Sequence, residues 1–302
     1  VLAGMAGHRR APEGKGAVQQ ADDPPFWSIS GRTTTRERAR SPALPPQCGH
    51  RRRYGISATQ LKTNGKYLVI DPYLTKNPLG PYDLSTIKAD IILCTHGAKD
   101  HFGDAVELAK LTGALLLGPV DCTTRAKDQG LPPEQVKNMV PGSVREIMGI
   151  KIKALHTEHV SCSRWEGKIV TGVALSYLIT LEDGLKLYHA GDTALHSDFK
   201  TFGEVYQPDI GMMPCGMFPG ATTEMDPEES AIAADWLRLT TAVPIHFDPE
   251  TQAGYVERFK NAVKARDQRI DVIGMTAGMT YDICRVSPDN HRVIFQETSS
   301  RK

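Results

Sequence analysis

The sequence predicts a mixed fold of α-helices and β-strands, on three observations. Short runs of β-branched or apolar residues recur along the chain, many bounded by Gly, Pro, Asn or Asp. Segments with helical spacing and recognisable N-caps fall between some of them. At 302 residues, with 40% hydrophobic and 24% charged residues, the chain can bury a sizeable core.

Residues 1–53 stand apart from the rest. They hold nine Arg and one Lys against Glu13, Asp22, Asp23 and Glu37, a local charge of +6 in a chain of net +1. Rich in Pro, Gly, Arg and Ser, this stretch lacks apolar periodicity and cannot offset its ordering entropy. It is expected to be a disordered basic extension; a nucleic-acid arm and an Arg-rich transit segment are the functional alternatives. Ordered structure is expected over 54–285, followed by a polar C-terminal tail over 286–302.

Strands are expected at 67–71, 90–96, 114–117, 150–155, 173–181, 185–189, 210–213, 242–246 and 272–275. A helix over 104–111 opens on Asp104 with Glu107 three residues on, in the manner of a capping box. A second follows Asp226, with Pro227 at its first position and Glu229 three after the cap. Its Ile232, Trp236 and Leu239 recur at helical spacing, which predicts one buried face. A third is expected over 254–265.

Composition excludes several classes. Net charge near zero gives no overall case for nucleic acid as a partner. No apolar run approaches the roughly 18 residues that span a bilayer. The six cysteines are scattered with no CxxC pair, which fits reduced thiols and a cytoplasmic location. Neither a G-x-S-x-G elbow, a Walker A loop nor a G-x-G-x-x-G fingerprint is present.

Four expected strands instead end in side chains that can hold a metal. Thr95-His96-Gly97-Ala98-Lys99-Asp100-His101 follows the run Ile91-Ile92-Leu93. His156-Thr157-Glu158-His159, Tyr188-His189-Ala190-Gly191-Asp192-Thr193 and Pro244-Ile245-His246 are the other three. Imidazole and carboxylate are the donors a borderline ion such as Zn²⁺ accepts. One strand-end His is ordinary turn chemistry; recurrence at four ends points to a shared site.

The order and spacing of these segments resemble the metallo-β-lactamase superfamily, near the hydrolases grouped with L-ascorbate-6-phosphate lactonase. The likeness also rests on Val69-Ile70-Asp71-Pro72, Pro208-Asp209 and Met225-Asp226-Pro227-Glu228-Glu229. It implies an α+β fold, a four-layer αββα sandwich with its site at one edge. It implies metal ligands at His96, Asp100, His101, His159, Asp192 and His246, with His156 the alternative to His159. Asp192 would bridge two ions. Asp100 would orient the attacking water or take its proton, and His246 would help stabilise developing negative charge.

Two positions depart from the family pattern. The middle His of its HxHxDH motif is Ala98 here, and Ile56 stands where many relatives carry the His of Gly-His-Ser. One metal position is therefore a ligand short, and the other is complete. The resemblance implies one or two divalent ions, Zn²⁺ or Mn²⁺, and hydrolysis of a small-molecule ester, lactone or phosphoester. A non-catalytic or regulatory binding protein on the same fold is the alternative. Oligomeric state, a homo-oligomer included, stays open.

Overall fold

The computed structural model describes residues 49–216, 223–287 and 290–298. In chain order the first elements are β1 (Gly49–Gly55), β2 (Ala58–Thr63), β3 (Lys66–Ile70), β4 (Ile91–Leu93), α1 (Lys99–Phe102), α2 (Ala105–Thr112), β5 (Leu115–Gly118), α3 (Val120–Asp128) and β6 (Val136–Asn138). Next come β7 (Val144–Ile147), β8 (Ile150–Leu155), β9 (Val160–Trp165), β10 (Lys168–Val173), β11 (Ser176–Thr180), β12 (Lys186–His189) and α4 (Asp198–Val205). The last are β13 (Ile210–Pro214), α5 (Pro227–Trp236), β14 (Thr241–Ile245), α6 (Tyr255–Arg266), β15 (Asp271–Val272), β16 (Thr280–Ser287) and β17 (Asn290–Thr298).

Two large mixed sheets result. One runs β17-β16-β1-β2-β3-β4-β5-β6 and the other β15-β14-β13-β12-β11-β8-β7, while β9 and β10 form a separate hairpin. In each large sheet an antiparallel half joins a parallel half, at β3–β4 in the first and at β12–β13 in the second.

Alternation along the strands builds three apolar layers. Ile91 and Leu93 of β4 share a core with Ile152, Ile179, Leu187 and Val243 of the opposite sheet. Between them Ile92 packs outward with Phe102, Leu108 and Ala126. Likewise Leu187 of β12 faces the inter-sheet core, and Tyr188 packs with Phe199, Ala234 and Phe259. Helices thus cover the outer face of each sheet, giving four layers.

Several expectations need correction. The disordered extension was expected to reach residue 53, yet 49–53 lie in β1, between β2 and β16. Arg51 and Arg53 are 2% exposed, so they are no solvated arm. Arg53 donates to the Met275 carbonyl at 2.9 Å and stacks 4.4 Å from the Phe247 ring. Burial pulls the Arg51 guanidinium down to about 9, against the charges of Asp183 and Asp209. Residues 1–48 lie outside the described residues.

Within the polar tail expected over 286–302, residues 286–287 continue β16 and 290–298 form β17, which pairs with it antiparallel. The strand expected over 173–181 is broken, because Val173 closes β10 and β11 starts at Ser176. Asp104 makes no cap bond to α2. Its carboxylate accepts instead from Leu74 N, Thr75 N and Thr75 Oγ1, pinning the loop after β3.

On α5 the buried residues include Ser230, Ala231, Ala233 and Ala234, while Ile232 and Trp236 are half-buried. Small residues let this helix lie close on the sheet, and the bulky pair fills its margins. The capping box at Asp226 is present: Asp226 Oδ1 accepts from Glu229 N at 2.8 Å and Glu229 Oε2 accepts from Asp226 N at 3.3 Å. Asp226→Ala should therefore cost about 1 kcal/mol in urea unfolding. An unchanged midpoint would show that the box adds nothing.

Candidate metal centre

The sheets bring their strand ends together at one edge. His96 follows β4, and α1 carries Asp100 and His101 in its single turn. His159 follows β8, Asp192 follows β12 and His246 follows β14. The last two leave β12 and β14, the strands that flank β13 in the parallel half. Gly191, at φ +63, makes the turn before Asp192; a Cβ there would meet Thr95 Cβ at 2.9 Å. His246 itself sits at φ +55, a strained setting for a non-glycine residue.

Six side chains form two donor groups that share Asp192. One is Asp100, His101, Asp192 and His246; the other is His96, His159 and Asp192. Within each, one donor atom per residue lies within 4.8 Å of every other. Asp192 Oδ2 is 3.0 Å from His101 Nε2, 3.2 Å from His246 Nε2 and 3.8 Å from His96 Nε2. Asp100 Oδ2 stands 3.5 Å from His246 Nε2 and 3.7 Å from His101 Nε2. Asp192 is 4% exposed and Asp100 27%, which sets Asp192 at the floor and Asp100 at the mouth.

His156, the alternative to His159, lies in another group with His196 and Asp198. Ala98 is the N-cap of α1, half-buried, and supplies no donor. Lys99 is exposed. Ile56 is fully buried and its carbonyl accepts from His246 N at 3.0 Å. Met217 and Phe218, candidate walls of the pocket on sequence grounds, lie outside the described residues.

The residue that sequence reasoning missed is Asp71, at the end of β3. Fully buried, it accepts from Thr95 N at 2.7 Å, Thr95 Oγ1 at 2.8 Å and His101 Nδ1 at 2.9 Å. Thr95 Oγ1, its proton given to Asp71, can accept from His96 Nδ1 at 3.1 Å. Both imidazoles are thereby held with hydrogen on Nδ1, and their Nε2 atoms turn toward Asp192. Its only signal in the sequence was Ile-Asp-Pro at a strand end, which also reads as an ordinary turn.

These groups fit a divalent cation. His96 Nε2 and Asp192 Oδ1 are buried with no hydrogen-bond partner among the described residues. Leaving such atoms unmatched is costly, and a cation in the group that His96 and Asp192 share satisfies both. Nitrogen and carboxylate oxygen form a borderline donor set, suited to Zn²⁺ or its neighbours rather than to Ca²⁺.

The two groups differ in their protons. Burial opposes charge on His246, but Asp192 and Asp100 outweigh it and hold the pKa at about 10. His101 is likewise raised well above its usual value against burial, by Asp192 and Asp71. His96 goes the other way, lowered to about 3 by burial and by His101. A cation needs neutral imidazole, so it must displace protons from His101 and His246 but none from His96.

Affinity at the four-donor group should climb as pH rises from 6 toward 10 and fall as pH drops. Binding there near pH 7 should release about two protons. Titration calorimetry in buffers of different ionisation enthalpy measures this. Heats independent of the buffer would refute it.

Against this edge lies a groove lined by Asp121, Arg125, Trp165, Val170 and Gly172. Arg125 donates to the Gly97 carbonyl at 3.2 Å and stacks 4.4 Å from the Phe102 ring. Ser161 Oγ accepts from Gly97 N at 2.7 Å and donates to Asp121. The loop bearing His96 and Ala98 is therefore clamped from outside. No helix among the described residues is long and apolar enough to cross a membrane.

Comparison with known proteins bears on this arrangement. Residues 52–246 match the profile of the beta-lactamase superfamily domain. A UPF0173 metal-dependent hydrolase from Methanopyrus kandleri is 34% identical over 232 residues, 76% of this chain and 97% of that protein. Another, from Geobacillus sp., is 39% identical over 197 residues, 65% of this chain and 84% of that protein. Among solved structures, a metallo hydrolase of the archaeon Ignicoccus hospitalis superposes with a TM-score of 0.65 at 26% identity. That match covers 78% of this chain and 98% of the other.

Proposed function

The chain belongs to the metallo-β-lactamase superfamily, and from that premise we propose that it is a metal-dependent hydrolase of a small ester, lactone or phosphoester. One observation carries the reading: a buried carboxylate, Asp192, shared by two groups of imidazole and carboxylate, with His96 Nε2 and Asp192 Oδ1 buried and without a hydrogen-bond partner among the described residues.

His101, His246, Asp100 and Asp192 would hold one ion, and His96, His159 and Asp192 a second. When bound, a Zn²⁺-class ion supplies Lewis acidity, which brings the pKa of water to about 7 and polarises a carbonyl or phosphoryl oxygen. The protein does the rest. Asp71 and Thr95 fix the ring orientations. Asp100, at the mouth, keeps its carboxyl at about 2 despite burial, through its hydrogen bond from His246 and the His101 charge. It is thus an anionic acceptor at neutral pH, suited to orienting water more than to carrying its proton.

The test is metal analysis of the purified chain joined to assays on ester, lactone and phosphodiester panels, with and without chelator. Chelator-sensitive turnover on one class is the expected result. Protein that binds no divalent metal would overturn the reading. Ala98 favours a second reading, a binding protein without turnover, because it removes an imidazole from the group of His96, His159 and Asp192, and losing a ligand weakens the hold on the ion there.

A further inference from the structure

Outside this centre, His156, His196 and Asp198 bring one donor atom each to within 4.8 Å of one another. We propose that they form a second, separate site for a borderline divalent cation, which staples together two loops of the main centre.

The geometry points to a ligand in three ways. His156 Nδ1 lies 2.9 Å from Asp198 Oδ2, and the His196 ring stands edge-on to His156 at 5.3 Å and 72°. Both ring nitrogens of His196 are buried and have no hydrogen-bond partner among the described residues. A neutral imidazole always presents one N–H and one lone pair, so leaving both unmatched is costly. A cation takes up the lone pair. The ring is held in place by stacking on Phe199 at 4.2 Å and 30°.

Charge and access agree. The Glu158 carboxylate lies 3.8 Å from His156 Nε2, so two carboxylates face two imidazoles. His156 and Asp198 are 44% and 47% exposed, which leaves water free to complete the coordination and ions free to exchange. Two nitrogens among the donors select Zn²⁺, Co²⁺, Ni²⁺ or Cu²⁺ over Mg²⁺ and Ca²⁺.

Position in the chain gives the site its purpose. His156 lies three residues before His159, and His196 four after Asp192. The two loops are already stitched by Thr157 Oγ1 to Asp192 O at 3.2 Å, Glu158 N to Thr193 Oγ1 at 3.1 Å and Ala194 N to Glu158 O at 3.1 Å. An ion across His156, His196 and Asp198 adds a bond at the far end of that seam. It braces two of the three donors of the group that Ala98 leaves incomplete.

Equilibrium dialysis of the full chain against Zn²⁺ alone, followed by elemental analysis, tests the site. His196→Phe keeps the stack on Phe199, and His156→Gln alters the half-exposed member. Each should retain one Zn²⁺ fewer than wild type. Asp192→Asn, which dismantles the main centre, should still bind one equivalent, and adding His196→Phe should remove it. In the Asp192→Asn chain, Zn²⁺ should also slow amide exchange over 156–159 and 192–198. Far-UV circular dichroism in chelator checks folding, and His156→Gln decides the matter if His196→Phe does not fold. Equal stoichiometry in wild type and the folded variants overturns the proposal, as does an Asp192→Asn chain that binds no Zn²⁺.

Discussion

Ala98→His should tighten metal binding at the three-donor group by at least about 10–100-fold, the range that even an outer partner of a ligand commands. His96, His159 and Asp192 already converge there. A fourth donor completes the tetrahedral set that Zn²⁺ favours. Local structure accepts the change: Ala98 is half-buried at φ −60° and ψ 154°, an extended setting open to any L-residue, and makes no side-chain cap. The clamp of Ser161 and Arg125 on Gly97 keeps the loop where it is.

Dialysis against graded free Zn²⁺ reads the affinity, and the substrate panels read turnover. A rise in both marks the natural chain as an enzyme held back by a missing imidazole. Tighter binding with no turnover on any panel favours the binding protein. If affinity does not move, the assignment of His96, His159 and Asp192 to one ion fails.

Much of this centre was legible because its residues sit where apolar runs stop. Ile91-Ile92-Leu93 ends before His96, and Ile245 stands directly before His246. A strand buried on both faces announces its own end, and the polar residue after it has only the sheet edge to occupy. Between His156 and His159 the pattern left a choice. The structure turns His159 toward His96, at 4.9 Å between rings, and His156 toward His196.

What stayed illegible depends on contacts between distant parts of the chain. Arg51 and Arg53 look solvated in a stretch without periodicity. Only the Phe247 ring and the Met275 carbonyl, some two hundred residues away, make a berth for Arg53. In the β9–β10 hairpin Val160, Ile169 and Val173 are exposed, so its apolar residues mark no buried face that would read as a strand. Ser230, Ala231 and Ala234 were passed over as a buried face because small residues carry little hydrophobic signal, although they set how near α5 approaches the sheet.

Asp71→Asn should weaken metal binding at the four-donor group by about 10–100-fold while leaving the fold intact. The substitution is nearly isosteric, and asparagine tolerates the φ of +48° that Asp71 adopts. Its carbonyl can still accept from Thr95 N, but its amide now faces Thr95 Oγ1 and His101 Nδ1 as a donor. His101 Nδ1 must then accept, which moves its hydrogen to Nε2, the atom that faces Asp192 and the cation. The ring keeps its place and loses its lone pair.

A second readout separates this from simple destabilisation. Asp71 helps raise the His101 pKa, so the variant should hold that proton less firmly. Proton release on Zn²⁺ binding at pH 7 should fall along with affinity. Asp71→Ala, by contrast, strands the Thr95 amide and hydroxyl without an acceptor, and should lower the unfolding midpoint of the metal-free chain as well. If Asp71→Asn bound Zn²⁺ as tightly as wild type and released as many protons, the carboxylate behind His101 would be a packing residue only, and ring orientation would have to come from the sheets themselves.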